Sequence, residues 1–595
     1  MTRQEYYQQN TERYHSLLKQ LKTRRNLITT AKLLTFAGMI TLIYLLIERI
    51  EFPLLPAAIL LIILFIVLTI IDIRIVYRQH KTEELIRINT IEKNYLDGDL
   101  SAFPDGSSYQ DATHPYASDL DLFGEESLFQ HLNRTATASG TEKLVTWLLH
   151  LSKDATIIRE RQQAIAELCD LPDWCQEFRA LGKLHPTKDA DTRILNRWQK
   201  KTAFFVHPLS VRIPLYISNS ITLSTCILGL TGLIPWSLAL LPFLLQLFVL
   251  AFFLKKINAY HEELSLFIRS IGNYLPFVKW IASGQFHSPL LRSLRGTLLN
   301  KDCNALQALS ALHKIQNHLD QRANVLLAFV LNGLYMKDLH IILRLDKWKK
   351  EYVQCIDSWI DAVSEWDALV SMATYRFNHP AYCVPEITDA HLLDAREAGH
   401  PLLKGSHCIA NDFHLDKLHQ FYITTGANMA GKSTFLRTIG LNLVLAQSGN
   451  VVRSSSFSFQ PMALFTSMRT TDNLAKDTSY FHAELLRLKQ LVTTATQEER
   501  LFIILDEMLK GTNSVDKLNG SLAFLQKILT YPISGLVATH DLALGKLSHL
   551  HPDHFFNVCF EITHSGSDIT YDYKLHPGIS TTMNASILLK QMGLI

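Results

Sequence analysis

The sequence predicts a multidomain protein whose α-helical core is interrupted by transmembrane helical hairpins and followed by a C-terminal α/β domain. Three observations support this class. Two pairs of long uncharged apolar runs precede residue 255, helical patterning with few Gly or Pro covers 120–182 and 256–376, and short β-rich runs alternate with helical stretches after residue 400. Such alternation is typical of a parallel α/β sheet, and 595 residues are too many for one hydrophobic core.

Composition narrows the function classes only slightly. Hydrophobic residues make up 48% of the chain and charged residues 19%, with a net charge of +3, so nucleic acid is neither required nor excluded. The 8 cysteines are scattered, with neither a C-x-x-C pair nor zinc spacing, and we expect reduced thiols in a cytosolic body. The first apolar run begins after about thirty polar residues and lacks a small-residue cleavage site, so no cleavable signal is expected.

The first pair of apolar runs predicts a transmembrane hairpin over 31–73. Leu33–Ile47 contains 15 uncharged residues and Phe52–Ile71 contains 20. A spanning helix needs about 20 residues, and Lys32 could extend the shorter run by snorkelling. The alternative is a pair of buried helices in a soluble bundle, although core helices are rarely apolar on every face.

The second pair predicts another hairpin over 211–255. Ile213–Ile234 is uncharged but rich in Ser, Thr and Asn, which could instead mark helix–helix packing, and Pro235–Leu254 is strongly apolar. Lys and Arg flank the outer ends of both hairpins and are nearly absent from the connecting loops. The positive-inside bias then predicts a multi-pass protein of the cytoplasmic (inner) membrane with both termini in the cytosol.

These patterns give the expected domain organisation. The segments are a cytosolic N-terminal segment at 1–30, hairpin 1 at 31–73, a linker at 74–118, a first helical-core segment at 119–210, hairpin 2 at 211–255, a second helical-core or lever segment at 256–378, and a nucleotide-binding domain at 379–595.

A phosphate-binding loop is predicted within "TGANMAGKST". Gly426, Gly431, Lys432 and Ser433 match G-x-x-x-x-G-K-[ST] between an apolar strand and a helix, the context this loop requires. Glycines let backbone amides surround phosphate oxygens, Lys432 would contact the β- and γ-phosphates, and Ser433 would bind Mg²⁺. We therefore expect ATP and Mg²⁺ to bind here.

Two further strand ends carry candidate catalytic residues. "LFIILDE" ends in Asp506, expected to hold Mg²⁺, and Glu507, expected to orient and deprotonate the attacking water. Taken alone, the pair could be an acidic helix cap. "VATHD" is a third strand and ends at His540, which we expect to contact the γ-phosphate, against the alternative of a structural histidine.

A fourth element is the stretch "TDNLAKDTSYFHAELLRLKQ". Ser479 lies near the start of an amphipathic helix, where hydroxyl and N–H groups can bind an anion. A serine in the first helical turn is otherwise a cap.

These segments together resemble the MutS mismatch-repair ATPases, which have a P-loop domain of the ABC type. The loop resembles T-G-x-N-M-[AG]-G-K-S-T, in which Asn428 and Met429 are distinctive and Thr434 completes the motif. "DNLAKDTSYFHAE" resembles the family signature, and the resemblance implies that Ser479 caps the γ-phosphate of a partner chain's ATP. "IANDFHL" is similar to the stretch that opens the family's ATPase domain and would put Asn411 near the nucleotide.

The resemblance extends upstream, but with departures. "LNRTATASGTEKLVTWLLH" and "WDALVSMATYRFNHPAY" resemble the family's helical core. Residues 1–110 leave no room for the family's mismatch-reading domain, and a connector domain is missing as well. Met468-Arg469 stand where Ile-Gly is usual, and Leu509-Lys510 stand where Gly-Arg is usual. These differences weaken the expectation of DNA contact much more than the expectation of ATP binding.

Two functional hypotheses follow. The first is a membrane-anchored, ATP-dependent homodimeric clamp that binds DNA without mismatch discrimination, with basic segments such as "RLDKWKK" as contacts or, alternatively, as a solvated face. The second is an ATP-driven membrane machine without a DNA ligand, in which dimer closure moves the hairpins. The region 256–345 discriminates between them: a basic arm projecting from the bilayer favours DNA, and packing back onto the spans disfavours it.

Overall fold

The computed structural model describes residues 1–49, 55–188, 194–195, 197–200, 204, 208–321, 324–403, 408–469, 480–510, 513–565 and 568–580. The helices up to the second hairpin are α1 Arg3–Arg49, α2 Leu55–Leu96, α3 Leu128–Leu132, α4 Ala138–Leu149, α5 Ala155–Cys169, α6 Pro172–Leu184, α7 Pro208–Leu230, α8 Trp236–Ala239 and α9 Leu241–Gly272. The remaining core helices are α10 Leu275–Ser283, α11 Pro289–Leu298, α12 Ala305–Asp320, α13 Val325–Tyr335, α14 Lys337–Tyr352 and α15 Ile356–Asn378.

The C-terminal domain alternates strands and helices. Its strands are β1 Glu386–Ile387, β2 Leu393–Ala398, β3 Asn411–Leu415, β4 Phe421–Gly426, β5 Ser456–Phe459, β6 Ala463–Ser467, β7 Leu501–Asp506, β8 Ile533–Ala538, β9 Phe555–Ser565 and β10 Asp568–Pro577. Its helices are α16 Lys432–Gln447, α17 Tyr480–Gln497, α18 Ser514–Ile528 and α19 Leu547–Leu550. The larger sheet has the order β10-β9-β4-β8-β7-β6, and the smaller has β1-β5-β2-β3.

The larger sheet brings the predicted strand ends together. β4, β7 and β8 are parallel, with Thr424 opposite Ala538 and Asp506 opposite the same Ala538. The carboxyl ends of parallel strands meet at one edge of a sheet, where ligands usually bind. The prediction that "FYITTG", "LFIILDE" and "SGLVATH" belong to one parallel sheet is therefore confirmed.

The first pair of apolar runs forms the middle of two helices that are much longer than expected. α1 and α2 pair along their length, so most of the predicted N-terminal segment and the start of the predicted linker are helical. After Pro56 no Gly or Pro interrupts α2 until Gly98, which explains its length. The Lys32 Nζ to Asp72 Oδ2 ion pair, at 2.8 Å, joins the two helices where the apolar part ends.

Beyond the apolar part, α2 packs on the helical core through a stripe at helical spacing. Its buried positions are Ile75, Gln79, Thr82, Leu85, Ile88, Asn89, Glu92 and Tyr95. Glu92 is fully buried and pairs with Arg134 and Arg179. The first hairpin is thus continuous with the core and is held to it by a buried ion cluster.

The long helix α15 organises the core. The carboxylate of Asp367 accepts hydrogen bonds from the amides of Ala136 and Thr137, at 2.8 and 2.7 Å, and so fixes the start of α4. A Cβ on Gly140 would lie 2.1 Å from Asp367 Oδ2. This close approach explains why a glycine stands in "TATASGTEKL".

The second pair of apolar runs forms α7 and the helices α8 and α9, and α13 packs against it. A Cβ on Gly333 of α13 would lie 2.2 Å from the Phe243 ring of α9. By length and composition alone, four of the helices in the described ranges are long and apolar enough to cross a membrane. α13 and the helices after it also pass that test as a pair, bent by 78°. The sequence did not distinguish the apolar α13 from the neighbouring core helices.

One expectation about cysteines is wrong. Cys303 and Cys355 form a disulfide that joins the segment before α12 to the turn before α15. The other six cysteines are free thiols, as expected.

Candidate nucleotide site

The phosphate-binding loop runs from β4 to the first turn of α16, and its glycines are required by geometry. Gly426 has φ +150°, and a Cβ there would lie 2.7 Å from the carbonyl oxygen of Phe560. Gly431 has φ +106°, in the region that favours glycine. The loop therefore turns tightly enough to present the amino-terminal N–H groups of α16, the arrangement that binds phosphate in other proteins.

The ammonium of Lys432 lies over this loop. Its Nζ donates to the carbonyl oxygens of Gly426 and Ala427, at 2.7 and 2.8 Å. Burial lowers the pKa of Lys432, while the carboxylates of Asp506 and Glu507 oppose that shift. A buried ammonium at the amino-terminal end of a helix favours an anion, and the phosphates of ATP carry the required charge.

Ser433 and Asp506 form the expected pair of hard oxygen donors. The Ser433 Oγ donates to Asp506 Oδ2 at 2.6 Å, which brings α16 and the end of β7 together. Within the described ranges, no group of three or more His, Cys, Asp or Glu side chains could hold a metal by itself. A magnesium ion suits a site of this kind because it binds one or two carboxylate or hydroxyl oxygens together with substrate phosphates and water.

Glu507 is positioned by the residue expected to sense the γ-phosphate. His540, just beyond β8, lies with Nε2 2.9 Å from Glu507 Oε1. This hydrogen bond, with a contribution from nearby Lys510, lowers the pKa of Glu507 to about 2. Glu507 also has φ +54°, and such strain in a non-glycine residue is characteristic of functional sites. The carboxylate is therefore ionised and aimed by His540.

A cavity of about 420 Å³ unites these residues. The predicted residues that line it are Asn411, Asn428, Met429, Gly431, Lys432, Ser433, Thr434, Asp506, Glu507 and His540. Gly426 is not part of the lining but contacts Lys432 through its carbonyl group. Asn411 also braces β10, because its Nδ2 donates to Tyr573 O at 3.0 Å and its Oδ1 accepts from Leu575 N at 2.8 Å.

Several lining residues were missed by sequence reasoning. Tyr573, Phe560, Ile409 and His400 form an aromatic and apolar side of the cavity. Tyr573 has φ +54°, and its ring lies 3.1 Å from the place a Cβ on Gly431 would occupy. The only signal in the sequence was that Tyr573 lies in "YDYKLHPGISTTMNASILLKQMG", residues 571–593, which resembles the closing segment of the MutS family and contains no phosphate-binding motif.

Ser479 and residues 581–595 of the closing segment lie outside the described residues. The signature helix α17 is described from Tyr480 onward, and its Glu484 is buried. Glu484 accepts hydrogen bonds from the amides of Leu509 and Lys510, the latter at 3.0 Å. The helix that Ser479 precedes is thereby tied to the turn that carries Glu507.

Comparison with known proteins gives a consistent picture. Residues 422–590 match the family model described as MutS domain V, and residues 113–373 match MutS domain III. Similar curated proteins include "MutS protein homolog 4" of Homo sapiens, 30% identical over 264 residues, which are 43% of this chain and 28% of that protein. "DNA mismatch repair protein MutS" of Persephonella marina is 30% identical over 232 residues, 38% of this chain and 26% of that protein.

A longer match covers most of the chain. "DNA mismatch repair protein MSH3" of Vanderwaltozyma polyspora is 25% identical over 531 residues, 78% of this chain and 51% of that protein. The chain spans about a quarter to a half of the length of these three relatives. The first apolar hairpin lies outside both domain matches, whereas the second lies within the range matched to domain III.

Proposed function

We propose that this chain, a MutS-family protein by its domains III and V, is a membrane-anchored ATPase that works as a dimer and transmits ATP-driven closure to its apolar hairpins. The observation that carries the ATPase is the cavity in which Ser433 meets Asp506 at 2.6 Å and His540 meets Glu507 at 2.9 Å. That combination provides oxygen donors for a cation and an oriented carboxylate base in one cavity beside the phosphate-binding loop.

In this proposal each residue has a separate role. The Lys432 ammonium exchanges its two carbonyl contacts for phosphate oxygens when ATP binds. Ser433 and Asp506 would hold Mg²⁺, which would supply positive charge to neutralise the phosphates. Glu507 orients water and accepts its proton as the hydrogen bond from His540 is redirected to the γ-phosphate. Redirecting that bond removes the largest cause of the lowered pKa of Glu507, so the residue becomes a stronger base when ATP is present.

Membrane anchoring is supported by the exposure of the first hairpin. None of the residues in the apolar windows of α1 and α2 is buried, and side chains such as Leu34 and Ile47 are 70% and 76% exposed. Soluble monomers rarely expose apolar patches larger than a few hundred Å². The alternative of two core helices in a soluble bundle predicts burial of these windows, which the described chain does not provide.

The region 256–345 favours the membrane machine over the DNA clamp by the criterion set from the sequence. α9 runs without a break from the apolar hairpin into the core, and α13 packs back onto the hairpin. In "RLDKWKK" the side chains of Trp348 and Lys349 are buried, and Lys349 Nζ donates to Trp198 O at 2.7 Å. Lys349, one of the basic side chains expected to contact DNA, is therefore buried in the helical core.

A DNA clamp is the second candidate, favoured by relatives whose names refer to DNA mismatch repair. Arg344, Lys347 and Lys350 of α14 remain exposed and could contact phosphates. We propose that such a clamp contacts the DNA backbone through these basic side chains and does not read base steps. Its affinity would fall steeply with salt.

The test uses the full chain reconstituted in lipid nanodiscs. A spin label at Leu233, in the loop of the second hairpin, reports the distance between the two chains of a dimer. ATP should change that distance in Glu507→Gln, which traps ATP, and leave it unchanged in Lys432→Ala, which weakens ATP binding. An unchanged distance in both variants contradicts coupling to the hairpins. Tight, ATP-dependent and salt-sensitive binding of duplex DNA by the same sample would favour the second candidate.

A further inference from the structure

A second cavity, of about 510 Å³, lies where the polar continuations of the two apolar hairpins meet. Its walls come from α2, α6, α9, α10 and α12. Among the described residues that line it there is no Asp or Glu. The site is separate from the nucleotide cavity and shares no lining residue with it.

The lining side chains make this cavity cationic. Lys81, Arg269 and Lys279 contribute fixed positive charges, and only Lys81 is paired, with Glu177 of α6. Within the described ranges neither Arg269 nor Lys279 forms an ion pair, and both are exposed. Burial lowers the pKa of His185, so its ring adds no charge at neutral pH. A cleft lined by one sign of charge concentrates anions.

The cavity lies close along α2 to the apolar part of the first hairpin, and aromatic side chains line it. The Lys81 ammonium lies 5.3 Å from the ring centre of Trp280. Tyr77 follows Asp72 by five residues, which is about 7–8 Å along a helix. The polar layer on each side of a bilayer is about 5–8 Å thick. Tyr and Trp are enriched at that level of membrane proteins.

We propose that this cavity binds the phosphate of an anionic phospholipid headgroup. The inference rests on the membrane anchoring in the proposed function. Arg269 and Lys279 supply charge-assisted donors for the phosphate oxygens, and Trp280 covers the apolar side of the headgroup. A DNA backbone carries the same group, but a duplex is held through several successive phosphates, whereas a cavity of this size accommodates one headgroup. Free phosphate shares the chemistry without the apolar anchor.

The proposal constrains how the second hairpin is oriented in the membrane. Asn273 lines the same cavity, and its Nδ2 donates to Pro186 O at 2.7 Å, so α9 ends at the level of Tyr77. Lys255, where the apolar run of α9 ends, lies eighteen residues earlier, about 27 Å along a helix. If both hairpins enter one bilayer, the continuous helix α9 is therefore tilted from the membrane normal.

The experiment titrates detergent-solubilised full-length protein with short-chain phosphatidylglycerol or phosphatidylcholine and counts bound lipid by native mass spectrometry. The wild-type chain should bind phosphatidylglycerol at least tenfold more tightly than phosphatidylcholine. Arg269→Glu with Lys279→Glu should abolish that preference. Lys301→Glu, which changes an exposed lysine outside the cavity, should keep it. If the charge reversals prevent folding, the milder Arg269→Gln with Lys279→Gln replaces them. This variant should reduce the preference for phosphatidylglycerol.

The remaining arms identify the source of the phosphate. Inorganic phosphate should compete only at concentrations far above the lipid, and competition at equal concentration would overturn the lipid assignment in favour of free phosphate. Displacement of the lipid by duplex DNA, or equal preference in the wild type and the cavity variants, also overturns it. Retention in carbonate-washed membranes is measured in parallel. A chain that is retained but shows no preference for anionic lipid refutes this inference alone, whereas a chain that washes off refutes the membrane anchoring itself.

Discussion

The buried ion cluster around Glu92 determines how firmly the first hairpin is held to the core. Glu92 accepts hydrogen bonds from Arg134 Nε at 3.2 Å, from Arg179 Nη2 at 2.6 Å and from Asn378 Nδ2 at 2.9 Å. The Tyr7 hydroxyl of α1 donates to Asn378 Oδ1 at 2.6 Å. The cluster therefore joins both helices of the first hairpin to α6 and to the end of α15, immediately before the nucleotide-binding domain.

Glu92→Gln keeps the shape of the side chain but leaves two guanidinium groups buried without a counter-charge. Removing one partner of a buried ion pair typically costs about 3–5 kcal/mol. Burial alone would raise the pKa of Glu92, but Arg134 and Arg179 outweigh burial and hold the pKa below its usual range. The stabilisation is thus complete above the unfolded-state pKa, about 4.3, and is lost as the pH falls through the folded-state pKa.

The assay is hydrogen exchange at pH 7 on the full chain in nanodiscs. Protection of 85–96 and 3–14 should fall by about 10²–10⁴, because local opening of this contact becomes easier by about 3–5 kcal/mol. Protection of β4 and β7 should not change. Glu84→Gln, on the same helix but in a partly exposed pair with Arg87, should cost about 0–1 kcal/mol.

A variant with an intermediate effect distinguishes loosening of the contact between the first hairpin and the core from general misfolding. Tyr7→Phe removes one buried hydrogen bond and leaves Asn378 Oδ1 without its donor, at about 1–3 kcal/mol. Its effect on protection should lie between those of Glu84→Gln and Glu92→Gln. Equal protection in Glu92→Gln and Glu84→Gln would refute the reasoning, since it would show that the cluster does not hold the hairpin.

Three further predictions concern the nucleotide site and the topology. Glu507→Gln should retain ATP binding and lower the rate of phosphate release by about 10²–10³, since it keeps the shape but loses the base; a parental rate would remove Glu507 from this role. Ser479→Arg and Lys432→Ala chains, each inactive alone, should recover about half of the normal site activity per mixed dimer if each site is shared between chains, and no recovery in confirmed mixed dimers contradicts sharing. With native thiols replaced, Leu233→Cys should react with an impermeant thiol reagent from outside the cell and Ser101→Cys should not; labelling of Ser101→Cys would overturn the topology.

The residues of the candidate nucleotide site could be chosen from the sequence because they belong to short contiguous motifs. These residues lie at or shortly after the carboxyl ends of parallel strands, namely Lys432 and Ser433 after β4, Asp506 and Glu507 at β7, and His540 after β8. The carboxyl ends of parallel strands meet at one edge of the sheet. The distances between these residues and the hydrogen bond that lowers the pKa of Glu507 could not be predicted, because they depend on the register of β7 and β8. Tyr573 was missed since a single aromatic residue in a strand carries no motif.

The attachment of the first hairpin was not predictable for a different reason. Half of the buried stripe of α2 is polar, namely Gln79, Thr82, Asn89 and Glu92, so the apolar periodicity that identifies a packed helix is weak. The partners of Glu92 lie up to 286 residues away in sequence. Polar burial of this kind becomes visible only when the partners that satisfy it are brought together by the fold.

The unusual Arg469 gives the nucleotide domain a second connection to the segment that follows α2. Its guanidinium binds the carboxylate of Asp121 with donor distances of 2.5 and 3.1 Å, and its amide donates to Asp119 Oδ1 at 2.9 Å. Arg437, on the helix that follows the phosphate loop, approaches the same Asp121 to 3.5 Å and donates to Asp119 O at 3.1 Å. Asp121 thus contacts both Arg437 of α16 and Arg469, two residues beyond the end of β6.

These contacts form a contiguous path from the candidate nucleotide site to the segment that follows the first hairpin. If ATP draws Ser479 towards a partner's γ-phosphate, the segment before it moves, and the Arg469–Asp121 pair must either follow or break. The chain then leads back through residues 97–120 to Glu92 and α2. A glycine at 469, usual in the resembling family, would offer no side chain to this route. The replacement by arginine is consistent with a protein in which closure of the nucleotide domains acts on the hairpin, because it adds a rigid, bidentate contact at the point where the two regions meet.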